Sequence, residues 1–190
     1  TRTATGSGPA TWFHDGTRNG IADYVGDVWK WMSGLRVYKG EIQIFVGNLA
    51  AKQVSHLATS TYWKAILPNG SLVEPGTPGT LKYTKDFKIA TDTGAAGSTY
   101  TANFGNLVAG TGVTTIPEIL KELFLAPVSG VTHTGAFWIN NEDERLPVVS
   151  GGYNGTSNAG PSALSLDHPR SSVRASLGFF SAFMELESAI

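Results

Sequence analysis

The chain has 190 residues, a formal net charge of −1 and no cysteine. Without cysteine there can be no disulfide, no thiolate metal site and no cysteine nucleophile, and without a basic run nothing drives binding to a phosphate backbone. Hydrophobic residues make up 41% of the chain, enough for a buried core, whereas charged residues make up only 15% and glycine occurs 23 times. This composition predicts one loop-rich globular domain with a polar, weakly charged surface.

The first half of the chain is predicted to contain one helix and one β-hairpin. Residues 1–11 are small and polar, and they are interpreted as a linker or tail ahead of a domain over 12–190. Over residues 20–34, apolar side chains recur at i, i+3, i+4, i+7, i+8 and i+11, the single stripe of an amphipathic helix. The alternating runs on either side of Lys39 and Gly40 predict the hairpin.

The second half is predicted to contain short strands, an insertion and a second helix. A strand is expected over residues 60–67, and a long insertion rich in Thr, Gly and Ala over about 84–114. Residues 116–125 are predicted to form a helix, because Thr115 and Glu118 have the spacing of a capping box and a proline lies in the first turn.

Several polar side chains are candidates for chemistry. His14 and Asp15 are adjacent, but the four histidines lack the spacing of a metal site. Asp23 and Asp27 would lie one turn apart on the predicted helix, where they either pair for acid–base work or solvate its outer face. The acidic run 142–144 either contributes to a calcium site or forms a solvated turn, and the chain has no Gly-x-Ser-x-Gly elbow. None of these patterns predicts an enzyme.

A short core strand is predicted over residues 136–139, and the segment 151–183 beyond it differs in composition. Gly, Ser and Ala alternate there with Tyr, Thr, Asp, His and Arg, and short apolar pairs would hold the backbone on a core. Mixed donors, acceptors and rings on small scaffold residues are typical of an adaptable binding surface. An ordinary glycine-rich loop region fits the composition equally well.

Two stretches resemble known protein families. Residues 26–36, GDVWKWMSGLR, are similar to a segment of C-type-lectin-fold proteins of the formylglycine-generating-enzyme type. A set of motifs further on resembles the variable region of diversity-generating-retroelement variable proteins, a family that includes phage tropism proteins. Those motifs are ERLP at 144–147, GG at 151–152, AG at 159–160, AL at 163–164, PRS at 169–171 and GF at 178–179. The middle of the chain, around 63–70 and 78–83, also looks like phage and prophage relatives.

The resemblance implies an α+β, C-type-lectin-like fold with two helices, short antiparallel sheets and the loop-rich insertion. It also implies that residues from about 151 to 183 form a displayed region, which adenine-directed mutation diversifies in that family. The ligand-binding positions implied in this chain are Tyr153, Asn154, Thr156, Pro161, Ser162, Ser165, Asp167, His168, Ser172, Arg174, Ser176 and Phe180. Two of them depart from the family pattern: Tyr153 follows the double glycine, where tryptophan is usual, and Phe180 replaces an arginine.

The resemblance further implies a receptor-binding, or tropism, protein of a phage tail tip or tail fibre, located in the virion, and not an enzyme. A bacterial surface-displayed binding protein of the same fold is the alternative. An enzyme using Asp15, Asp23 or Asp27 and a purely structural virion component are two further classes. The expected partner is a host cell-surface protein or glycan, with a homotrimer as a candidate assembly.

No nucleic acid, membrane insertion, cofactor or metal is expected. The apolar runs are too short for a membrane span, and the cysteine-dependent chemistry of formylglycine-generating enzymes cannot operate here.

Overall fold

A computed structural model describes residues 4–47, 49–52, 54–92 and 98–179. Within those residues, thirteen short strands are linked into one mixed sheet, and a single α-helix is present. The strands are β1 (Trp29–Trp31), β2 (Leu35–Tyr38), β3 (Glu41–Phe45), β4 (Trp63–Ile66), β5 (Leu72–Val73), β6 (Lys82–Tyr83), β7 (Lys88–Ala90), β8 (Tyr100–Asn103), β9 (Val108–Ala109), β10 (Ala136–Ile139), β11 (Glu144–Val149), β12 (Leu164–His168) and β13 (Leu177–Gly178), and the helix is α1 (Glu118–Glu122).

The prediction of an α+β, C-type-lectin-like class with two helices is wrong, because the protein is mostly β. Residues 20–34 form turns and the strand β1 instead of a helix. Asp23 and Asp27 have φ angles of 51° and 55°, and Gly26 has 82°, all of which are incompatible with a right-handed helix. The apolar stripe did not reveal this, since a spacing of apolar residues says nothing about the turns that interrupt it.

The predicted β-hairpin and the predicted second helix are confirmed. Strands β2 and β3 form the expected hairpin, in which Tyr38 pairs with Glu41 and the two turn residues Lys39 and Gly40 have φ angles of 50° and 86°. Positive φ at both positions is the geometry of a type I′ turn, which suits the twist of a two-residue hairpin. The helix α1 lies inside the predicted range 116–125, although it is shorter and has no side-chain cap at its N-terminus.

The strand order shows how distant parts of the chain are joined in the sheet. The main path is β8-β10-β12-β11-β2-β3-β6-β7-β9; β1 pairs with β11 and β13, and β4 pairs with β3 and β5. The predicted insertion, 84–114, supplies β7, β8 and β9, so it forms strands at both ends of this path. It also places Ile89, Phe104 and Val113 in the buried core. The insertion is therefore part of the folding unit.

The centre of the core is an aromatic cluster. The ring of Phe137 lies 5.0 Å from that of Tyr83 and 6.3 Å from that of Phe104, and all three side chains are fully buried. The Tyr83 hydroxyl donates a hydrogen bond to the carbonyl of Leu125 at 2.6 Å. Burial raises the pKa of Tyr83 far above its usual value, so this hydroxyl keeps its proton and ties the segment after α1 to the sheet.

A charged network joins β2, β11 and the loop after β12. Glu144 accepts hydrogen bonds from Arg36 Nη1 at 2.9 Å and from Arg170 Nε and Nη2 at 2.9 and 3.0 Å. Arg36 also donates to Gln43 at 2.7 Å, and its guanidinium lies 4.5 Å from the ring centroid of Trp63. Burial alone would raise the pKa of Glu144, but the hydrogen bonds and charges of Arg170 and Arg36 outweigh it and hold that pKa below its ordinary value.

Two glycines allow two backbone segments to touch. A Cβ on Gly160 would lie 2.3 Å from the carbonyl oxygen of Thr134, and one on Gly135 would lie 2.7 Å from the amide nitrogen of Ala163. The Ser162 amide donates to the same Thr134 carbonyl at 3.0 Å. This close approach fixes the chain just before β12 against the start of β10.

No helix in the described part of the chain has the length and hydrophobicity that a membrane span requires.

Replacing Gly160 with alanine should lower the free energy of unfolding by about 2–3 kcal/mol, because the new methyl group collides with rigid backbone. The measurement is urea unfolding followed by tryptophan fluorescence. Gly105→Ala is the matched control, since its Cβ would meet side chains and no backbone: Asn103 Oδ1 at 3.1 Å and the Cβ of His133 at 3.6 Å. Equal stabilities of the two variants would contradict the described contact.

Replacing Glu144 with glutamine should lower the free energy of unfolding at neutral pH by about 2 kcal/mol, because charge-assisted hydrogen bonds to two arginines are lost. Since the pKa of Glu144 is lowered on folding, its contribution is present above the ordinary value of 4.5 and is lost as the pH falls through the folded value. The difference between wild type and variant should therefore shrink in acid. Glu74→Gln, at an exposed carboxylate paired with Lys64, is the control and should cost less than about 1 kcal/mol.

Candidate functional site

The predicted variable region begins at a tight corner after β11. Ser150 is fully buried and has a φ of 73°, and Gly151 follows with a φ of 83°. The Ser150 amide donates to the carbonyl of Ala163 at 2.9 Å, and its own carbonyl accepts from the amides of Gly26 and Gly160 at 3.4 and 3.3 Å. The corner thus joins three segments through main-chain atoms alone and directs the chain away from the sheet.

The segment 153–158, called the tip, extends from this corner. The Tyr153 amide donates to the carbonyl of Asp27 at 2.7 Å, and the tip is closed by turn hydrogen bonds between main-chain groups. The side chains of Tyr153, Asn154 and Thr156 are exposed, and Tyr153 is 73% exposed. Because the anchors are main-chain groups, the identity of these side chains is not needed to hold the tip in place.

The segment 169–176, called the return loop, lies beside the tip. The Trp29 amide donates to the carbonyl of Ser176 at 2.8 Å, and β13 then pairs in parallel with β1. The tip is bound at Asp27 and the return loop at Trp29, and these two residues are only two positions apart at the start of β1. The tip and the return loop therefore meet at the same edge of the sheet. Val173 in this loop is 94% exposed.

The implied ligand-binding residues fall into three groups by exposure. Exposed are Tyr153, Asn154, Thr156, Pro161 and Arg174. Half-buried are Asp167, Ser172 and Ser176, and buried are Ser162, Ser165 and His168. Phe180 lies outside the described residues.

The buried members of this set occupy structural positions. Ser165 and His168 belong to β12, which has β10 on one side and β11 on the other. Ser162 lies just before that strand, and its hydroxyl is 3.1 Å from the ring of His133. The motif pattern gave no sign that the displayed region contains a central strand, which is why these side chains are less accessible than expected.

Six residues share the outer face of the sheet, opposite the core, and we call this the tryptophan face. They are Trp29, Trp31, Trp138, Ser165, Asp167 and His168. The ring centroids of Trp29 and Trp138 are 5.1 Å apart, edge to face, and Trp31 lies 5.9 Å from the His168 ring. Trp138 pairs with Ser165 across β10 and β12. The alternation of Trp29, Lys30 and Trp31 is a signal for a strand with two tryptophans on one face. Trp138 lies in the predicted core strand 136–139, where no local signal marks its side chain as facing away from the core.

The polar residues of the tryptophan face do not have the order of a serine–histidine–aspartate triad. Ser165 donates its hydroxyl hydrogen to the carboxylate of Asp167, and His168 Nε2 lies 3.4 Å from the same carboxylate. In a serine–histidine–aspartate triad the histidine accepts from the serine hydroxyl, but here the serine and the histidine both contact the aspartate. Burial lowers the pKa of His168; Arg174 lowers it further, and Asp167 opposes the change. Among the described residues, no three His, Asp or Glu side chains converge as metal ligands.

A groove of about 850 Å³ lies next to the tip; we call it the aromatic groove. Its walls come from the N-terminal segment, the loop before β1 and the start of the variable region. The residues that line it are Thr11, Trp12, Phe13, His14, Asp23, Tyr24, Val25, Gly26, Asp27, Tyr153 and Pro161. Tyr153 and Pro161, two of the implied ligand-binding residues, therefore line the groove. Asp23 and Asp27, the aspartates of the predicted helix, line it as well.

Lys30 supports the loop that forms one wall of this groove. Its side chain is buried, and Nζ donates hydrogen bonds to the carbonyls of Tyr24 and Gly26. Burial lowers the pKa of Lys30, and the charges of Asp27 and Asp23 oppose that change. The ammonium group therefore interacts with both carboxylates through their charges.

Asp15, the third acidic candidate, has a local structural role. Its carboxylate accepts hydrogen bonds from the amide of Thr17 at 2.8 Å and from the Thr17 hydroxyl at 3.0 Å, the arrangement of an Asx-turn. The amide hydrogen bond is the main reason that its pKa is lowered.

Comparison of this chain with protein-family models and with curated proteins finds no match. The function is therefore inferred from the tip, the return loop, the tryptophan face and the aromatic groove, which adjoin one another around the start of β1.

His168 should titrate below its ordinary pKa of 6.5, which NMR of the imidazole carbon-bound protons can measure. Asp167→Asn should lower that pKa further, because it removes the charge that favours the imidazolium, and Arg174→Ala should raise it slightly. A lowered histidine pKa means that the unfolded chain binds the proton more readily, so stability should fall as the pH drops below 6.5. Titration above that value would contradict the described burial.

Proposed function

We propose that this protein recognises a ligand on a host cell surface and acts as the receptor-binding, or tropism, protein of a phage tail tip or tail fibre. The observation that carries the proposal is the tip: its side chains are exposed, while its backbone is held by main-chain hydrogen bonds to Asp27 and to the corner at Ser150. Such a surface can change its residues without losing its shape.

The composition of the exposed edge supports a binding role. Tyr153, Val173 and Phe179 are 73%, 94% and 75% exposed, and Arg174 lies between the last two. Large exposed apolar side chains beside tyrosine and arginine are the composition of binding hot spots.

We further propose that the protein binds without catalysing a reaction. The best-placed serine, aspartate and histidine do not have the order of a catalytic triad, because the serine hydroxyl donates to the carboxylate and the histidine ring lies against the same carboxylate. Asp15 is held in a turn, which leaves Asp23 and Asp27 as the acidic residues open to a ligand.

The assignment to a phage tail rests on the resemblance of the motifs at 144–147, 151–152 and 169–171 to retroelement variable proteins. Several copies on one particle would strengthen a weak single contact by avidity. Neighbouring tail-assembly genes, with a near-copy of the 151–183 coding region and a reverse transcriptase, would support this assignment. A neighbouring export signal or lipobox would favour a bacterial surface-displayed binding protein instead.

The double replacement Tyr153→Ala and Arg174→Ala should weaken binding of the fluorescently labelled protein to intact bacteria by about 30-fold or more, the effect of losing a hot spot. The melting temperature should stay nearly unchanged, because both side chains are exposed. Flow cytometry over a panel of Gram-negative and Gram-positive strains is the measurement. Tyr62→Ala, at an exposed tyrosine near β4, is the control and should bind like the wild type.

A wild-type protein that binds no strain would contradict the proposed function. A double variant that melts much earlier would mean that these side chains support the fold and are not a displayed surface.

A further inference from the structure

We propose that the aromatic groove holds a saccharide unit of a cell-surface glycan. This inference rests on the proposed function and narrows its partner to carbohydrate. It draws on residues outside the variable region, chiefly Trp12, His14 and Asp27, which no sequence motif singled out as a binding set.

The aromatic side chains of the groove are unusually accessible. Trp12 is 54% exposed and Tyr153 is 73% exposed, and Tyr24 and Phe13 are half-buried beside them. One ring is already covered, because the Arg18 guanidinium lies 5.9 Å from the centroid of Phe13. Trp12 and Tyr153 thus offer rings with an apolar body and a polar end. A sugar ring has the same mixed character, with C–H groups on its faces and hydroxyls at its edge.

The polar groups of the groove supply both donors and acceptors. The Ile21 amide donates to Nδ1 of His14 at 2.7 Å, so the proton of the neutral ring lies on Nε2, where it can be donated. Asp23 accepts from the Gly6 amide through one oxygen at 2.9 Å, and the Asp27 side chain is exposed. A carboxylate can accept from two adjacent hydroxyls at once. Vicinal diols of a sugar offer that pair of donors.

The charge of the groove disfavours an anionic ligand and leaves a neutral polyhydroxylic one unopposed. Lys30 binds the carbonyls of the loop that carries both aspartates, and its ammonium charge offsets part of theirs. Two carboxylates remain against one ammonium group, so the groove repels phosphate and carboxylate groups, whereas neutral hydroxyls can donate to the carboxylates. The groove volume of about 850 Å³ lies within the range of small-ligand sites and accommodates a short oligosaccharide.

Saturation-transfer NMR with a panel of methyl glycosides (glucose, galactose, mannose, N-acetylglucosamine and rhamnose) tests the groove directly. The wild type should transfer saturation to at least one glycoside at millimolar concentration. Asp27→Asn should weaken this binding by about tenfold, because it removes the charge and replaces one of the two acceptor oxygens by a donor. The fold should survive, since asparagine tolerates the positive φ of 55° at this position.

Trp12→Ala should abolish the transfer by removing the stacking surface, and Tyr62→Ala is again the control that should leave it unchanged. The inference is overturned if the wild type contacts none of the glycosides, or if neither Asp27→Asn nor Trp12→Ala weakens the contact.

Treatment of the bacteria separates this inference from the proposed function. Periodate cleaves vicinal diols, so cells oxidised with periodate should lose binding of the labelled protein, whereas cells treated with protease should keep it. Binding that survives periodate and is lost after protease would overturn the glycan inference and leave a protein receptor for the proposed function. Absence of binding to any untreated strain would reject both.

Discussion

The carboxylate of Glu144 accepts hydrogen bonds from two arginines that come from distant parts of the chain. It stands at the start of β11, where the ladder between β11 and β2 is only two residue pairs long. That short ladder joins the half of the sheet that carries the variable region to the half that carries the hairpin. Arg36 binds the carboxylate from the hairpin side and Arg170 from the return loop. Because a buried charge is costly unless it is fully paired, the two halves and the loop must come together in one arrangement.

This arrangement separates the part of the molecule that folds from the part that can vary. Core strands β10 and β12 and the insertion bury the large apolar residues, whereas the tip and the return loop are held at their ends by main-chain groups. The side chains of the tip are exposed and contribute little to its placement, whereas the return loop is also anchored by the Arg170 side chain on Glu144. The same edge also brings Trp12 from the N-terminal segment next to Tyr153. A recognition surface can therefore combine constant residues of the groove with changeable residues of the tip.

Local sequence signals predicted the β2–β3 hairpin and the helix α1. They did not predict the turns within residues 20–34 or the contacts between distant segments. The hairpin at Lys39 and Gly40 was foreseeable because two turn residues flanked by alternating runs determine its geometry. The apolar stripe over 20–34 was misleading, since Asp23, Gly26 and Asp27 within it adopt left-handed conformations. The acidic residue Glu144, predicted to lie in a solvated turn or a calcium site, is instead bound by arginines whose proximity no local pattern encodes. The groove was invisible for the same reason, because its walls come from three separate segments.

The corner at Ser150 and Gly151 has a consequence for how the tip could be altered. A Cβ on Gly151 would lie 2.5 Å from the Cβ of Ala159, so the two stems of the tip touch each other. A loop whose ends are held this closely by the scaffold can change length at low entropic cost, about 0.6 kcal/mol for each doubling. The protein therefore offers a graft site: foreign peptides inserted between these stems would be presented at a defined spacing beside a preformed groove, with the sheet beneath them unchanged.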